Sequence, residues 1–361
     1  MPKSTIAMCL IEYNSQTQDI EFRVISSDAG CIQTYGTQHA PRDTISSACK
    51  NYWDFVNDAV KAGEVTGDDH TRRKFHDSLK VRGSALANTL MNNRTKQGLW
   101  RLAANSEVLV LITRLLNVPW EALYSSTPDG SGSFLSENCI VTRWPENTAD
   151  NTRHGDLANS KFDRERIVCI DSVLNEDKAA ALETLSKTFE SDGEVVYLTC
   201  LKSELQAKVS NVRVVHWICE HAPDGLRLDK DVFYCSDDAE VHRFPRGGVL
   251  VLTSCQASAT PDGNKSVAGE ISLSSNCTVI APSSLIATRA GVEFARRINT
   301  QLRQNPDILT VFDLWKKIRA KPSSPAPAAI TAESCFSLWY GIYGDVQAMM
   351  REGERSATNA S

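Results

Sequence analysis

The sequence predicts an α/β fold with a mostly parallel sheet, and three features predict it. The runs at 166–170, 212–218 and 249–252 are nearly continuous in Val, Ile and Leu, the pattern of strands covered on both faces and not of half-solvated ones. Segments with helical periodicity, 177–190 and 203–209, fall between such strands, so the second half alternates strand and helix as βαβ units do. The third feature is size. At 361 residues, 42% hydrophobic and 23% charged, the chain has ordinary globular composition and room for two domains or one large one. We divide it into an N-terminal half at 1–150 and a C-terminal half at 160–350, with a disordered tail expected at 351–361.

Taken in order, 5–13 and 19–25 are β-patterned and joined by a polar stretch, which predicts a hairpin. The segment 44–62 carries Ile45, Ala48, Tyr52, Phe55, Val56 and Ala59 on one helical face, with Asp43 or Thr44 as the expected N-cap. A second helix is predicted over 71–91, with strands at 107–113 and 140–144. The stretch 145–161 is polar and aperiodic and reads as a linker. The second half continues with strands at 166–171, 194–198, 212–218, 249–252 and 278–281, and helices at 289–302 and 308–319. Residues 256–276, rich in Ser, Ala and Gly, and 321–329, rich in Pro, Ser and Ala, read as loops.

Composition removes several function classes. A net charge of -5, with Lys and Arg dispersed, argues against direct nucleic-acid binding. No apolar run approaches the ~18 residues of a membrane span, and no leader opens the sequence, so a soluble cytoplasmic protein is expected. The 11 cysteines are odd in number and sit mostly in apolar strands, as Cys9, Cys169, Cys219 and Cys277 do. That usage fits small buried hydrophobes in a reducing compartment better than a disulfide framework.

Cys255 differs from the others. The run from Gly247 to Gln256 is an apolar strand that ends on this cysteine between Ser254 and Gln256. Upstream, the run from Val212 to His221 is a second strand, ending in a histidine and followed by Ala222, Pro223, Asp224 and Gly225. Two parallel strands ending side by side bring thiol and imidazole to the carboxyl edge of a sheet, where open α/β folds place their sites. A thiol is mostly protonated at neutral pH and needs a base beside it. His221 is the candidate base, while His216, inside the strand, is either a participant or a packed residue that shapes the site. Backbone N–H groups of Cys255 and of the turn after His221 are the candidate oxyanion donors. Metal binding by His216, Cys219, His221 and Cys255 is disfavoured, because Cys219 and His221 fall on the side of the strand opposite His216. No metal or cofactor is expected. The residues point to a cysteine hydrolase, with protein as the expected substrate.

Four segments then resemble one known group, the CHAT domains of the caspase-like (clan CD) cysteine peptidases, relatives of caspases and separase. Residues 117–123 (NVPWEAL) are similar to that family's Leu-Pro-Trp-Glu-Leu-Leu signature, and 215–221 (VHWICEH) resemble its strand with two histidines. Residues 252–258 (LTSCQAS) resemble its nucleophile motif, and 336–345 (FSLWYGIYGD) its closing strand. The two histidines here are five apart and followed by Ala222, where the family has a spacing of four and a glycine.

The resemblance implies a caspase-like α/β/α sandwich, with an N-terminal pseudo-catalytic half supporting a C-terminal catalytic half. It implies a Cys255–His221 dyad that cleaves a partner protein, and a protein activator or regulator as a further partner. In the family the residue two before the cysteine lines the S1 pocket; here that is Thr253. Asp171 is a candidate acidic wall, and Ala222 a candidate backbone contact. Relatives act in bacterial defence, coupled to CRISPR signalling or to gasdermin pores. The alternatives are a catalytically silent caspase-like interaction scaffold and a thiol-dependent acyl hydrolase of small molecules.

Overall fold

The structure, a computed structural model, describes residues 4–25, 32–64, 68–126, 132–145, 162–171, 194–198, 202–219, 221–222, 225–229, 232–254, 266–282, 288–319 and 340–348. In the N-terminal half, strands β1 (Ser4–Asn14), β2 (Asp19–Ile25) and β3 (Ile32–His39) form an antiparallel meander. Helices α1 (Arg42–Lys61), α2 (Asp69–Leu90) and α3 (Asn93–Ala104) follow, then β4 (Ser106–Thr113) and a 3-10 turn at Trp120–Ala122. The short pair β5 (Tyr124–Ser126) and β6 (Gly132–Phe134), helix α4 (Leu135–Asn138) and strand β7 (Ile140–Pro145) complete that half.

The C-terminal half runs through β8 (Arg164–Asp171), β9 (Glu194–Leu198), α5 (Lys202–Val209) and β10 (Val212–Ile218). A small meander follows, β11 (His221–Ala222), β12 (Gly225–Asp229) and β13 (Val232–Tyr234), and then α6 (Asp238–Val241) and β14 (Val249–Thr253). The remaining elements are α7 (Val267–Ser275), β15 (Thr278–Pro282), α8 (Thr288–Gln304), α9 (Val311–Arg319) and β16 (Tyr340–Tyr343).

One sheet of 11 described strands runs through both halves in the order β3-β2-β1-β4-β7-β16-β15-β14-β10-β8-β9. Strands β1, β4, β7 and β16 are mutually parallel, as are β15, β14, β10, β8 and β9. The two sets meet where β16 pairs antiparallel with β15. The carboxyl ends of the two parallel sets therefore lie at opposite rims. At the N-terminal set's rim, β4 ends at Thr113 and β7 at Pro145, so among the described residues that rim has no paired Cys and His.

Paired residues share a face of a sheet. On one face, α8 and α9 bury Phe294, Ile298, Leu314 and Trp315 against Val108, Val110, Val214, Val249, Val251 and Ile280. The other face of the N-terminal half packs Leu109, Leu111 and Val141 against Leu86, Leu90, Leu99 and Ala103 of α2 and α3. On that same face of the C-terminal half, Val215, Trp217, Leu250, Leu252 and Tyr343 pack against Val267, Ala268 and Ile271 of α7. Both faces of the central strands are covered, which is why their sequences are continuously apolar.

One cation stands in this core. Arg143 on β7 is fully buried, and its Nη2 donates to the Glu121 carboxylate and, at 3.1 Å, to the Val118 carbonyl. Its guanidinium lies 5.0 Å from the centre of the Tyr343 ring, and any side chain at Gly341 would overlap it. Burial pushes the Glu121 carboxyl up while Arg143 works against that shift. The segment 117–123 and the closing strand, two of the four motifs read from the sequence, thus converge on Arg143.

Several sequence expectations are corrected. Helix α1 begins at Arg42 after Pro41, without a side-chain cap, and neither Asp43 nor Thr44 serves as the N-cap. Part of the loop expected at 256–276 is helix α7, capped by Ser266, whose side chain accepts from Gly269 N–H. Helix α9 begins at Val311, not 308, because Thr310 and Asp313 bond each other's backbone N–H groups as a cap. Its first N–H groups, of Val311 and Phe312, donate to the carbonyls of Ala348 and Val346. The linker expected at 145–161 gives up its first residue, since Pro145 ends β7, and its remainder, with the helix expected at 177–190, the loop at 321–329 and the tail at 351–361, lies outside the described residues.

Candidate active site

Strands β10 and β14 are parallel neighbours, with Val214 opposite Val249, His216 opposite Val251 and Ile218 opposite Thr253. Both end at the same rim. The Cys219 N–H donates to the Thr253 carbonyl at 3.4 Å, so the chain stays beside β14 for one residue past the last pair. His221 lies two residues further on, and Cys255 follows Ser254 directly. Cys255 itself is outside the described residues.

The position of His221 is fixed by the small meander. His221 pairs with Leu226 and Ala222 with Gly225, and Leu226 pairs in turn with Tyr234. Gly225 has φ +133, and a Cβ there would meet the Tyr234 carbonyl at 2.5 Å, so only glycine fits this close crossing. Leu226, Leu228 and Tyr234 are buried in one cluster with Trp217 and Leu252. Trp217 packs against Tyr234 and Phe244, with ring centroids 5.6 and 5.9 Å apart, and the Tyr234 hydroxyl donates to the His242 carbonyl at 2.8 Å. The backbone that carries His221 is therefore pinned onto the last turns of β10 by buried aromatic packing. The side chains of His221 and Ala222 are outside the described set.

His216 occupies a different environment. It is 1% exposed and sits on the face covered by α8, opposite Trp217. Its level on the strand is two residues short of the rim, about 7 Å at the rise of an extended chain. On the same face Arg166 donates to the Oδ1 of Asn299, from α8. Burial first, and the Arg166 charge second, hold the His216 imidazole down to about 3.

The sign of the resulting pH effect follows. An unfolded chain takes up the imidazole proton near pH 6.5, whereas the folded chain resists it down to about 3, so stability falls as pH drops through that window. Between pH 6.5 and 5 the loss is roughly 2 kcal/mol. Denaturant unfolding at pH 7 and pH 5 checks this: His216→Asn should lose clearly less stability between the two than the natural chain does. Equal losses would show that His216 is not held neutral.

The other expected substrate contacts fall as follows. Thr253 is 8% exposed at the end of β14. Asp171 ends β8, one residue past the level of Ile218, with its side chain outside the described set. Ser254, which marks the strand end in the sequence, is 1% exposed at the rim. Among the described residues no group of three or more His, Cys, Asp or Glu is placed to hold a metal ion. No helix among them is long and apolar enough to cross a membrane.

No protein-family model matches the sequence, and no curated protein matches it. Solved structures do match. Two structures of the Saccharomyces cerevisiae separase–securin complex align with TM-scores of 0.60 and 0.59, at 10% and 11% identity, each over 94% of this chain and 30% of the separase chain. The fold is caspase-like. The Arg-specific cysteine proteinase gingipain R aligns at a TM-score of 0.42 and 9% identity, over 77% of this chain and 76% of that one. The chain spans about 30% of the length of the separase chains it matches. The caspase-like likeness covers both halves, which agrees with one sheet continuing through them.

Proposed function

We propose that this chain is a CHAT-type cysteine endopeptidase that cleaves a partner protein, with Cys255 as nucleophile and His221 as base. The observation that carries the reading is the register of β10 on β14, Ile218 opposite Thr253, at the rim where the two motif residues follow their strands. In the reaction the imidazole takes the thiol proton as sulfur bonds to the scissile carbonyl carbon. The tetrahedral oxyanion is held by the N–H of Cys255 and one from the turn after His221. The imidazolium then protonates the leaving amine as the C–N bond breaks, and water, deprotonated by the same ring, releases the acyl group. His216, held neutral beneath α8, shapes the strand that carries the base and takes no proton in the cycle. Asp171, Thr253 and Ala222 are the proposed substrate contacts, with Asp171 favouring a basic side chain before the cleaved bond.

The setting we propose is cytoplasmic, in a regulated bacterial defence or signalling pathway such as those coupled to CRISPR or gasdermin proteins. Separase is seen in complex with securin, and a protein regulator is proposed here by analogy. Labelling tests the reading. A peptidyl warhead that alkylates activated thiols should modify Cys255 alone of the 11 cysteines, and only while the chain is folded. Absence of selective modification would instead favour the catalytically silent scaffold.

A further inference from the structure

The residue before the nucleophile carries a hydroxyl that folding does not use. Ser254 is 1% exposed, and no described residue supplies a hydrogen-bond partner to its Oγ. Three other buried serines on this side of the C-terminal half are engaged. Ser266 accepts from Gly269 N–H at 3.2 Å, Ser272 donates to the Cys277 carbonyl at 2.9 Å, and Ser275 accepts from Phe244 N–H at 2.9 Å. A buried hydroxyl without a partner is less favourable than an alanine of nearly the same shape. Stability alone does not account for serine at this position.

What lies on its side of the sheet does. By strand alternation Ser254 shares a face with Leu252 and Trp217, and this face receives the meander that carries His221, through Leu226, Leu228 and Tyr234. The bond from Cys219 N–H to the Thr253 carbonyl places residue 219 level with residue 254. The chain then passes onto the meander within two residues. His216 and Arg166 lie on the opposite face, beneath α8.

We propose that Ser254 is a positioning residue for the dyad: its hydroxyl accepts a hydrogen bond from the His221 ring N–H when substrate fills the rim. That bond turns the other ring nitrogen toward the sulfur and stabilises the imidazolium formed during attack. Such bonds tighten in the substrate complex and are commonly unmade before it, so a hydroxyl held in reserve is what the free enzyme should display. The assignment rests on the peptidase reading above.

The test compares the full natural chain with Ser254→Ala and Ser254→Thr. Three quantities are read: the thermal midpoint, the pH profile of kcat, which reports the substrate complex, and kcat and KM for peptide turnover. Ser254→Ala should melt at the same temperature or higher, yet shift the pH profile of kcat and lower kcat about tenfold or more with KM little changed. Ser254→Thr, which keeps the hydroxyl, should recover most of both. If the natural chain cleaves peptide and Ser254→Ala matches it in profile and turnover, the positioning role is overturned and the peptidase reading stands. A lower melting temperature with an unchanged profile overturns it as well, in favour of a packing role. If the natural chain neither cleaves peptide nor alkylates selectively at Cys255, both readings fall together.

Discussion

Cys255→Ala is expected to abolish peptide cleavage, with a fall in kcat on the order of 10⁴ or more, and His221→Ala to fall nearly as far. The double variant should be no worse than the worse single one, because the two groups act as a unit in one proton transfer and one bond formation. A peptide library offered to the natural chain and the three variants measures this, with circular dichroism to show that each remains folded. Equal turnover by all four would end the peptidase reading. Loss in His216→Ala with retention in His221→Ala would exchange the roles of the two histidines. The structure gives a reason to expect otherwise, since His216 is buried under α8 and its proton affinity is too low for a base at neutral pH.

Arg143→Ala is expected to cost about 3–5 kcal/mol, the range for breaking a buried ion pair and leaving one charge behind. The Arg143 and Glu121 side chains are 0% and 5% exposed, so water does not reach the stranded carboxylate. Arg143 also joins the strand, the 3-10 turn and the Tyr343 ring at one point. Glu121→Ala should be similarly severe. The paired replacement Arg143→Met with Glu121→Leu should recover most of the loss, because apolar residues of similar volume need no desolvation of charge. Denaturant unfolding of the four proteins decides it. A double variant no more stable than Arg143→Ala would show that the ion pair itself, and not the avoidance of a lone charge, holds this junction.

Much of the C-terminal half is legible because its strands are buried on both faces and need no context to look like strands. β9 falls at 194–198 as expected, and β10 and β14 match the apolar runs at 212–218 and 249–252 within a residue. But β10 does not run on to His221, which lies in β11 of a separate three-stranded sheet, and β14 stops at Thr253, short of Cys255. The misses have local causes. Helix α7 reads VAGEISLSS, with three serines and a glycine of poor helix propensity. It forms through the Ser266 cap and burial of Val267, Ala268 and Ile271, neither of which periodicity reports. Strand β3 reads IQTYGTQH, a polar edge strand with a bulge opposite Phe22 and Arg23, and lacks apolar alternation. Helix α3 is signalled by Asn92, whose side chain accepts from Thr95 N–H, a cap followed by a polar first turn. Arg143 in IVTRWP looks like a surface charge, since its partner lies 22 residues away. At the rim, strand ends locate the thiol and the imidazole motif, but the side of the sheet on which Ser254 and the meander meet depends on pairing that no local pattern encodes.

Strand β16, from the far end of the chain, fills the centre of the sheet between β7 and β15. On the ribosome, therefore, the seam stays open until translation has passed residue 343 and that segment has cleared the exit tunnel. A transcript cut short before residue 340 would yield two raw, hydrogen-bond-hungry borders facing each other, the kind of surface that recruits neighbouring chains into aggregates. Residues 340–343, remote in sequence from both neighbours, are thus what closes the middle of the sheet.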